Sequence, residues 1–394
     1  MFPSVMLHRH KTEAIRRFHP WVFSGAVKRA DKGLQAGDVV EIFSDDGAYL
    51  GTGHYGTGSV AVRVFSFVRV NDLQQLWIDK LRSAYQLRKS VGLTDSAFTN
   101  TYRLVFGEGD GLPGMIIDWY NGTAVLQAHS VGMHRQAAAF AEALKVVYGN
   151  QLKAVYDKSS DALSKAEGTN AVAGEYLFGN PETDVVNENG HAFKIDWIGG
   201  QKTGFFIDQR DNRQLLSVYS KGKKVLNTFC YSGGFSVYAL KAGAELVHSV
   251  DSSAKAIELT NQNIALNALN ENKHQSFTAD VFDFLRDCTE GYDIVVLDPP
   301  AFAKHQSARH TAIKAYKRLN LAALNKMKAG SLLFTFSCSQ VVNSEMFTGA
   351  VASAAIESGR KISILHQLSQ PADHPVSIYN REAQYLKGLV LYVE

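Results

Sequence analysis

Two hydrophobic rhythms divide the chain. Over residues 1 to about 70, short apolar runs are broken by glycine turns: HPWVFSGAV, AGDVVEIFSDDGAYLGTGHYG and SVAVRVFSF. Runs of this length, punctuated by Asp46-Gly47 and Gly51-x-Gly53, predict a small β barrel. From Asn71 the period lengthens towards 3.6, with Leu73, Leu76, Trp77, Leu81 and Tyr85 recurring on one face. Asn71 or Asp72 offers an N-cap and Gly92 a stop, so one amphipathic packing helix is expected there. Strands follow around RLVFGEGDGLPGMIIDWYNGTAVLQAH, with hairpin signals at Asp110-Gly111 and Asn121-Gly122. A helix from about His134 to Tyr148, a strand at KAVYDKS and a hairpin turning at Asn189-Gly190 complete a small α+β region without a catalytic constellation.

From about residue 200 strands and helices alternate: KVLNTF, GFSVYALKAG, LVHSVD, SAKAIELTNQNIALNAL, HQSFTAD, VFDFLRDC, YDIVVLD, a basic helix at 311 to 328, then SLLFTF. This alternation predicts a parallel sheet with helices on both faces, its strand ends lining one edge. At 394 residues the chain is too long for one core. The boundaries expected are 1–71 for the barrel, 72–190 for the connecting region and 191–394 for the α/β domain.

Composition changes this picture little. With 45% hydrophobic and 20% charged residues, the chain reads as an ordinary soluble globular protein. Cysteines stand at 230, 288 and 338 without C-x-x-C spacing, so neither a disulfide framework nor a zinc site is supported, and no metal is expected. The start of the chain has no apolar core of secretory length, and no run reaches the roughly eighteen apolar residues of a membrane span. A cytoplasmic location without membrane partners is the expectation.

Charge is more informative in its distribution than in its net value of +3. Residues 1 to 33 hold seven Lys/Arg against Glu13 and Asp31, and between Asp298 and Glu345 seven Lys/Arg meet no acid at all. Two separated basic segments in a nearly balanced chain suggest surfaces for a polyanion such as nucleic acid, although solvated faces would look the same.

The expected strand ends carry the chemistry. After the first comes NTFCYSGGFS, where Gly233 and Gly234 permit a tight turn and close approach of backbone to a ligand. Asp251 ends the second, at a spacing suited to a ribose, and Asp280 ends the third, beside Val281 and Phe282, which could flank an adenine. Either acid could instead cap a helix. The turn lacks G-x-G-x-x-G, which disfavours a nicotinamide dinucleotide and favours a nucleoside ligand without phosphates, S-adenosylmethionine being the common one. DPPAF, residues 298 to 302, fixes the backbone after the fourth strand and leaves Asp298 and carbonyls facing the cleft. Phe302 could stack on a base taken out of its helix. The fifth strand ends at Cys338, between Ser337 and Ser339. Unpaired cysteines are usually packing residues, and Cys230 and Cys288 are read that way.

Taken in order, HPWVFSGAV, GQKTGFFIDQRDNR, VLNTFCYSGGFSVYALKAGA, VLDPPAFAK, FTFSCS, PADHPV and YLKGL resemble the RlmI-type family of S-adenosylmethionine-dependent methyltransferases of large-subunit ribosomal RNA. The likeness runs over essentially the whole chain. It implies a PUA domain, an α+β connecting domain and a Rossmann-like α/β methyltransferase domain, with 5-methylcytosine in 23S rRNA as product. It implies that Gln201, Phe206, Asp208 and Arg210 wall the cofactor pocket together with Phe229, Ser232, Gly233, Asp251, Asp280, Val281 and Asp298. The family's nucleophile falls on Cys338 and its cytosine-contacting acid on Asp298. Phe302, Lys304, Arg309, Lys314, Lys317 and Arg318, with Arg16 and Arg17, are the expected RNA contacts. A homodimer is left open.

A thiol makes sense for this reaction, because carbon 5 of cytosine becomes nucleophilic only once a thiolate has added to carbon 6. The chain departs from many RNA cytosine methyltransferases in lacking a second cysteine after its acidic-proline motif, and from the usual family ending in having YNREAQYLKGL. Two other readings are compatible with the sequence: methylation of a purine nitrogen, which needs no thiol, and an RNA-binding assembly factor.

Overall fold

The computed structural model describes residues 2–159, 163 and 174–394. The chain forms two compact units, Met1–Val186 with Ile195–Phe205 and Ala372–Ala383, and Asn187–Lys194 with Phe206–Pro371 and Gln384–Glu394.

The first unit begins with six strands, β1 (Ser4–Leu7), β2 (Trp21–Phe23), β3 (Val27–Ala30), β4 (Val39–Phe43), β5 (Tyr49–Tyr55) and β6 (Val60–Ser66), in the order β2-β6-β5-β4-β1-β3. The β1–β4 pair is parallel and the rest antiparallel. Val5, Leu7, Val22, Val40, Ile42, Val62 and Val64 fill its interior. Gly53 is required in β5, since a Cβ there would lie 2.4 Å from the Arg63 carbonyl oxygen.

The amphipathic helix is α1 (Leu73–Ser90), capped by the Asp72 carboxylate on the Gln75 N–H at 3.0 Å. It buries Trp77, Leu81 and Ala84 in a core shared with α2 (Ala137–Tyr148) and a second sheet. That sheet has the order β11-β10-β9-β8-β7, from β7 (Thr101–Phe106), β8 (Met115–Tyr120), β9 (Thr123–Ala128), β10 (Ala154–Asp157) and β11 (Glu175–Gly179). Asn121 and Gly122, at φ +45° and +96°, make the expected two-residue turn between β8 and β9. The Asp110-Gly111 hairpin signal holds as well. β7 and β8 do pair, but through a wider loop, because the Asp110 carboxylate takes the fully buried Arg88 guanidinium and the Phe106 N–H instead of closing a tight turn. The chain then enters a hairpin, β12 (Val185–Glu188) and β13 (His191–Lys194), turning at Asn189-Gly190 as expected.

The second unit is built on a seven-stranded sheet from β14 (Lys224–Thr228), β15 (Leu246–Asp251), β16 (His274–Thr278), β17 (Ile294–Leu297), β18 (Ser331–Ser337), β19 (Ile362–Leu368) and β20 (Lys387–Val393), ordered β16-β15-β14-β17-β18-β20-β19. Helices α3 (Arg210–Tyr219), α4 (Gly234–Lys241), α5 (Ala254–Leu266), α6 (Val281–Asp287), α7 (Arg309–Leu324) and α8 (Ser344–Ser358) alternate with the strands. β14 to β18 are parallel, as the alternation requires. The purely parallel expectation fails at one edge, where β20 runs antiparallel to both β18 and β19. Burial explains the order: β20 is buried at every residue but Tyr392 and takes an inner position, while β19 is largely exposed and takes the edge. Among the described residues no helix is long and apolar enough to cross a membrane.

Candidate active site

The ends of β14 to β18 all fall on one edge of the second unit's sheet, where parallel α/β folds bind ligands. After β14 the chain turns through three left-handed residues, Phe229 (φ +54°), Tyr231 (+46°) and Gly233 (+75°), of which only the last is a glycine. Hydrogen bonds from neighbouring elements hold this strained backbone. The Tyr231 N–H donates to Asp251 at 3.0 Å, Thr260 of α5 donates to the Tyr231 carbonyl at 2.9 Å, and Asn263 donates to the Ser232 carbonyl at 2.8 Å. A Cβ on Gly233 would meet Thr260 Cγ2 at 2.7 Å. Cys230 packs behind the turn, 6% exposed, its sulfur 3.6 Å from the Thr260 hydroxyl.

Residues Phe206 to Arg213 pack beside this turn. Arg213 is buried and bidentate on the buried Glu188 at 2.9 and 2.7 Å, and its third nitrogen donates to the Phe206 carbonyl at 2.9 Å. Such a pair, also holding the Tyr238 hydroxyl at 3.0 Å, fixes the segment against α4. The Phe206 and Tyr231 rings meet edge to face, 5.2 Å between centroids. Tyr385 donates a hydrogen bond to Asp208 Oδ2, while the buried Oδ1 of Asp208 has no hydrogen-bond partner among the described residues.

Asp298 follows β17 and Cys338 follows β18, two adjacent parallel strands, so the carboxyl and the thiol emerge side by side. The Cys338 thiol lies 3.8 Å from the carbonyl oxygen of the buried Pro299, and Asp298 and Cys338 are both half-buried. Burial and the Asp208 charge push the Asp298 carboxyl up to about 7, against a hydrogen bond from Gln209 and the charge of Arg213. Burial, then the Asp298 and Asp208 carboxylates, push the Cys338 thiol up to about 12, with Lys387 opposing. Lys387 itself is 7% exposed and donates to the Ser339 carbonyl at 2.7 Å. The Ser339 hydroxyl is 2.9 Å from that of Tyr316.

Asp251 lies at its expected strand end, its two oxygens accepting the N–H groups of Tyr231 and Ser253. Asp280 caps α6, accepting from Phe282 and Asp283 at 2.8 and 3.2 Å through Oδ1, with the buried Val281 beside it. Phe302 packs on Tyr316 at 4.7 Å. Lys304, Arg309, Lys314 and Arg318 are exposed; the Arg318 guanidinium covers the Phe282 ring at 4.5 Å, and Lys317 pairs with Glu357 at 2.6 Å. Cys288 follows α6, its thiol 3.6 Å from the Leu285 carbonyl. Gln201, Arg16 and Arg17 belong to the first unit, where Arg17 pairs with Glu13. Four residues of the site were not singled out in the sequence. Gln209 and Arg213 stand inside the GQKTGFFIDQRDNR stretch, and Tyr385 and Lys387 inside YLKGL.

The edge therefore offers a tight glycine turn, acids at successive strand ends and, in Asp208 Oδ1, a buried acceptor that fits a ligand ammonium or hydroxyl. With the strand order, these features define an S-adenosylmethionine-dependent methyltransferase of Rossmann-like fold. The sequence agrees: residues 103–375 match the S-adenosylmethionine-dependent methyltransferase family and residues 5–67 a PUA-like domain. A solved structure of a putative methyltransferase from Streptococcus mutans superposes with a TM-score of 0.83, covering 99% of this chain and 100% of that one at 24% identity. A structure of SMU.776, a putative methyltransferase complexed with SAH, superposes equally well.

The chain belongs to the ribosomal RNA large subunit methyltransferase I family. It is 38% identical to the proteins of that name from Aeromonas hydrophila, over 99% of both chains, and from Alteromonas mediterranea, over 100% of this chain and 99% of that one. The protein from Photobacterium profundum is 36% identical over the full length of both.

Proposed function

We propose that the protein methylates carbon 5 of a cytosine in large-subunit (23S) ribosomal RNA, with Cys338 as nucleophile and Asp298 as the acid that holds the base. The observation that supports this most is the pairing of a thiol with a carboxyl whose proton stays on up to about pH 7, at the ends of adjacent strands. The names of the relatives support the RNA substrate.

In this reading the base leaves its helix and enters beside Phe302. Asp298, protonated, donates to N3, and its neutral form removes one of the two carboxylate charges that oppose ionisation of Cys338. The thiolate adds to carbon 6, the electron pair moving through the ring to carbon 5 as N3 gains the proton. S-adenosylmethionine, when bound, supplies an electrophilic methyl group for carbon 5. Loss of the carbon 5 proton to a base, elimination of Cys338 as the thiolate and return of the N3 proton to Asp298 then restore both the ring and the acid. Asp208 Oδ1, Phe206, Arg210, the turn at Phe229, Ser232 and Gly233, Asp251, and Asp280 with Val281 would hold the cofactor, with Gln201 assigned by family likeness. Lys304, Arg309, Lys314, Lys317 and Arg318, together with Arg16 and Arg17, would contact phosphates. We keep 1–71, 72–190 and 191–394 as the functional division, a reaction in the cytoplasm and no metal requirement.

Digesting RNA methylated by the protein and identifying the modified nucleoside by mass tests the reading. 5-Methylcytidine is expected; a purine methylated on nitrogen would replace the reading, and absence of S-adenosylmethionine binding by calorimetry would reduce the chain to an RNA-binding factor.

A further inference from the structure

The reversal of β20 has a chemical result. Because this strand runs antiparallel to β18, its first residue, not its last, lies at the ligand edge: Lys387 pairs with Ser337, one residue before Cys338. Its side chain is buried and its ammonium is tied to the Ser339 carbonyl, one residue after Cys338, at 2.7 Å. The nucleophile is thus bracketed by the two backbone positions that fix Lys387. An ammonium in such a place has given up solvation for a single backbone acceptor, which is unfavourable unless it faces an anion at some stage.

The groups acting electrically on the sulfur come from four elements. Asp298 follows β17, Asp208 precedes α3, Tyr316 lies on α7 and Lys387 opens β20. Two are carboxylates and one is a neutral phenol whose hydroxyl bonds Ser339. Lys387 is the cation of the set.

We propose that Lys387 is a positioning residue for methyl transfer, its clamped ammonium serving as the fixed counter-charge of the Cys338 thiolate. The inference rests on Cys338 acting as nucleophile. The thiol proton leaves to water before the carbon–sulfur bond forms, and on elimination the sulfur departs with the bonding pair, again as a thiolate opposite Lys387. Lys387 neither gains nor loses a proton in the cycle. Burial pulls the Lys387 ionisation down to about 8, and the charge of Cys338 opposes that fall.

The test reads the thiol rather than methyl transfer, so it stands or falls apart from the identity of the methylated atom. Alkylation of Cys338 by iodoacetamide is followed by peptide mass spectrometry between about pH 6 and 7.5, below the value of about 8 at which Lys387 loses its charge, on the full chain, on Lys387→Gln and on Lys387→Arg. Glutamine keeps a donor for the Ser339 carbonyl but no charge; arginine keeps both. K387Q should alkylate at least about tenfold more slowly at each pH, equivalent to a thiol pKa about one unit higher, while K387R stays within about threefold of the unaltered chain. Equal rates in K387Q and K387R, or K387Q within about twofold of the unaltered chain, would overturn the proposal. Should K387Q fail to bind S-adenosylmethionine in calorimetry, Lys387→Met is read by the same criteria.

Discussion

Replacing Asp298 by asparagine should stabilise the protein, and increasingly so as pH rises. Burial and the Asp208 charge push this carboxyl up to about 7 from an ordinary 3.8. In the unfolded chain it loses its proton near pH 4, whereas in the fold it keeps it to about pH 7, so between those values folding takes up a proton. Stability contributed by the group is then greatest at low pH and falls as pH climbs through that window. Over the roughly two pH units between pH 5 and the folded value, at about 1.4 kcal/mol each, the loss approaches about 3 kcal/mol; solvent reaching the half-buried group reduces it to between about 1 and 3 kcal/mol. D298N cannot ionise and escapes the loss. Scanning calorimetry of both chains without ligand should show the gap in stability widening by that amount from pH 5 to pH 8, a relative Tm shift of about 3 to 10 °C for a unit of this size. A gap independent of pH, or one that narrows, would refute the raised ionisation and with it the acid role given to Asp298.

Other substitutions probe the walls of the site. R213M takes both guanidinium hydrogen bonds from the buried Glu188, leaving Arg210 Nε at 3.8 Å, and should cost up to about 3–5 kcal/mol in urea unfolding, whereas R213M with E188L should recover part of that. D208N should weaken S-adenosylmethionine binding at least about tenfold by titration calorimetry, the scale of one lost hydrogen bond to a charged group, with Y385F losing less than D208N. G233A places a side chain at φ +75° and against Thr260, and should lower stability by about 1–3 kcal/mol and weaken the same ligand.

Local chemistry made much of the fold legible. Asp72 caps α1, Asn121-Gly122 closes a hairpin, and strand-helix alternation sets β14 to β18 parallel, each because the signal is contained within a few residues. What escaped depends on partners distant in sequence. The width of the hairpin loop at Asp110-Gly111 is one such feature, since Asp110 is held by Arg88 from α1. The inner position of β20 follows from the burial of its two faces, which the stretch KGLVLYV states only as hydrophobicity. The same holds for the active edge. Asp298 and Cys338 announced themselves as strand ends, and Asp280 proved to be a helix cap as well. Arg213 gains its meaning only from Glu188, 25 residues earlier, and Lys387 only from the Ser339 carbonyl, 48 residues away.

The most direct measurement of the mechanism uses RNA substrate in which cytidine is replaced by 5-fluorocytidine, incubated with the protein and S-adenosylmethionine. Fluorine at carbon 5 cannot leave as a proton does, so a cysteine adduct should accumulate as a protein–RNA conjugate resistant to denaturant, with the nucleotide mapped by mass spectrometry to Cys338 and absent in C338A. Methylation without any conjugate, a conjugate on another residue, or full activity of C338A on ordinary RNA would contradict the account.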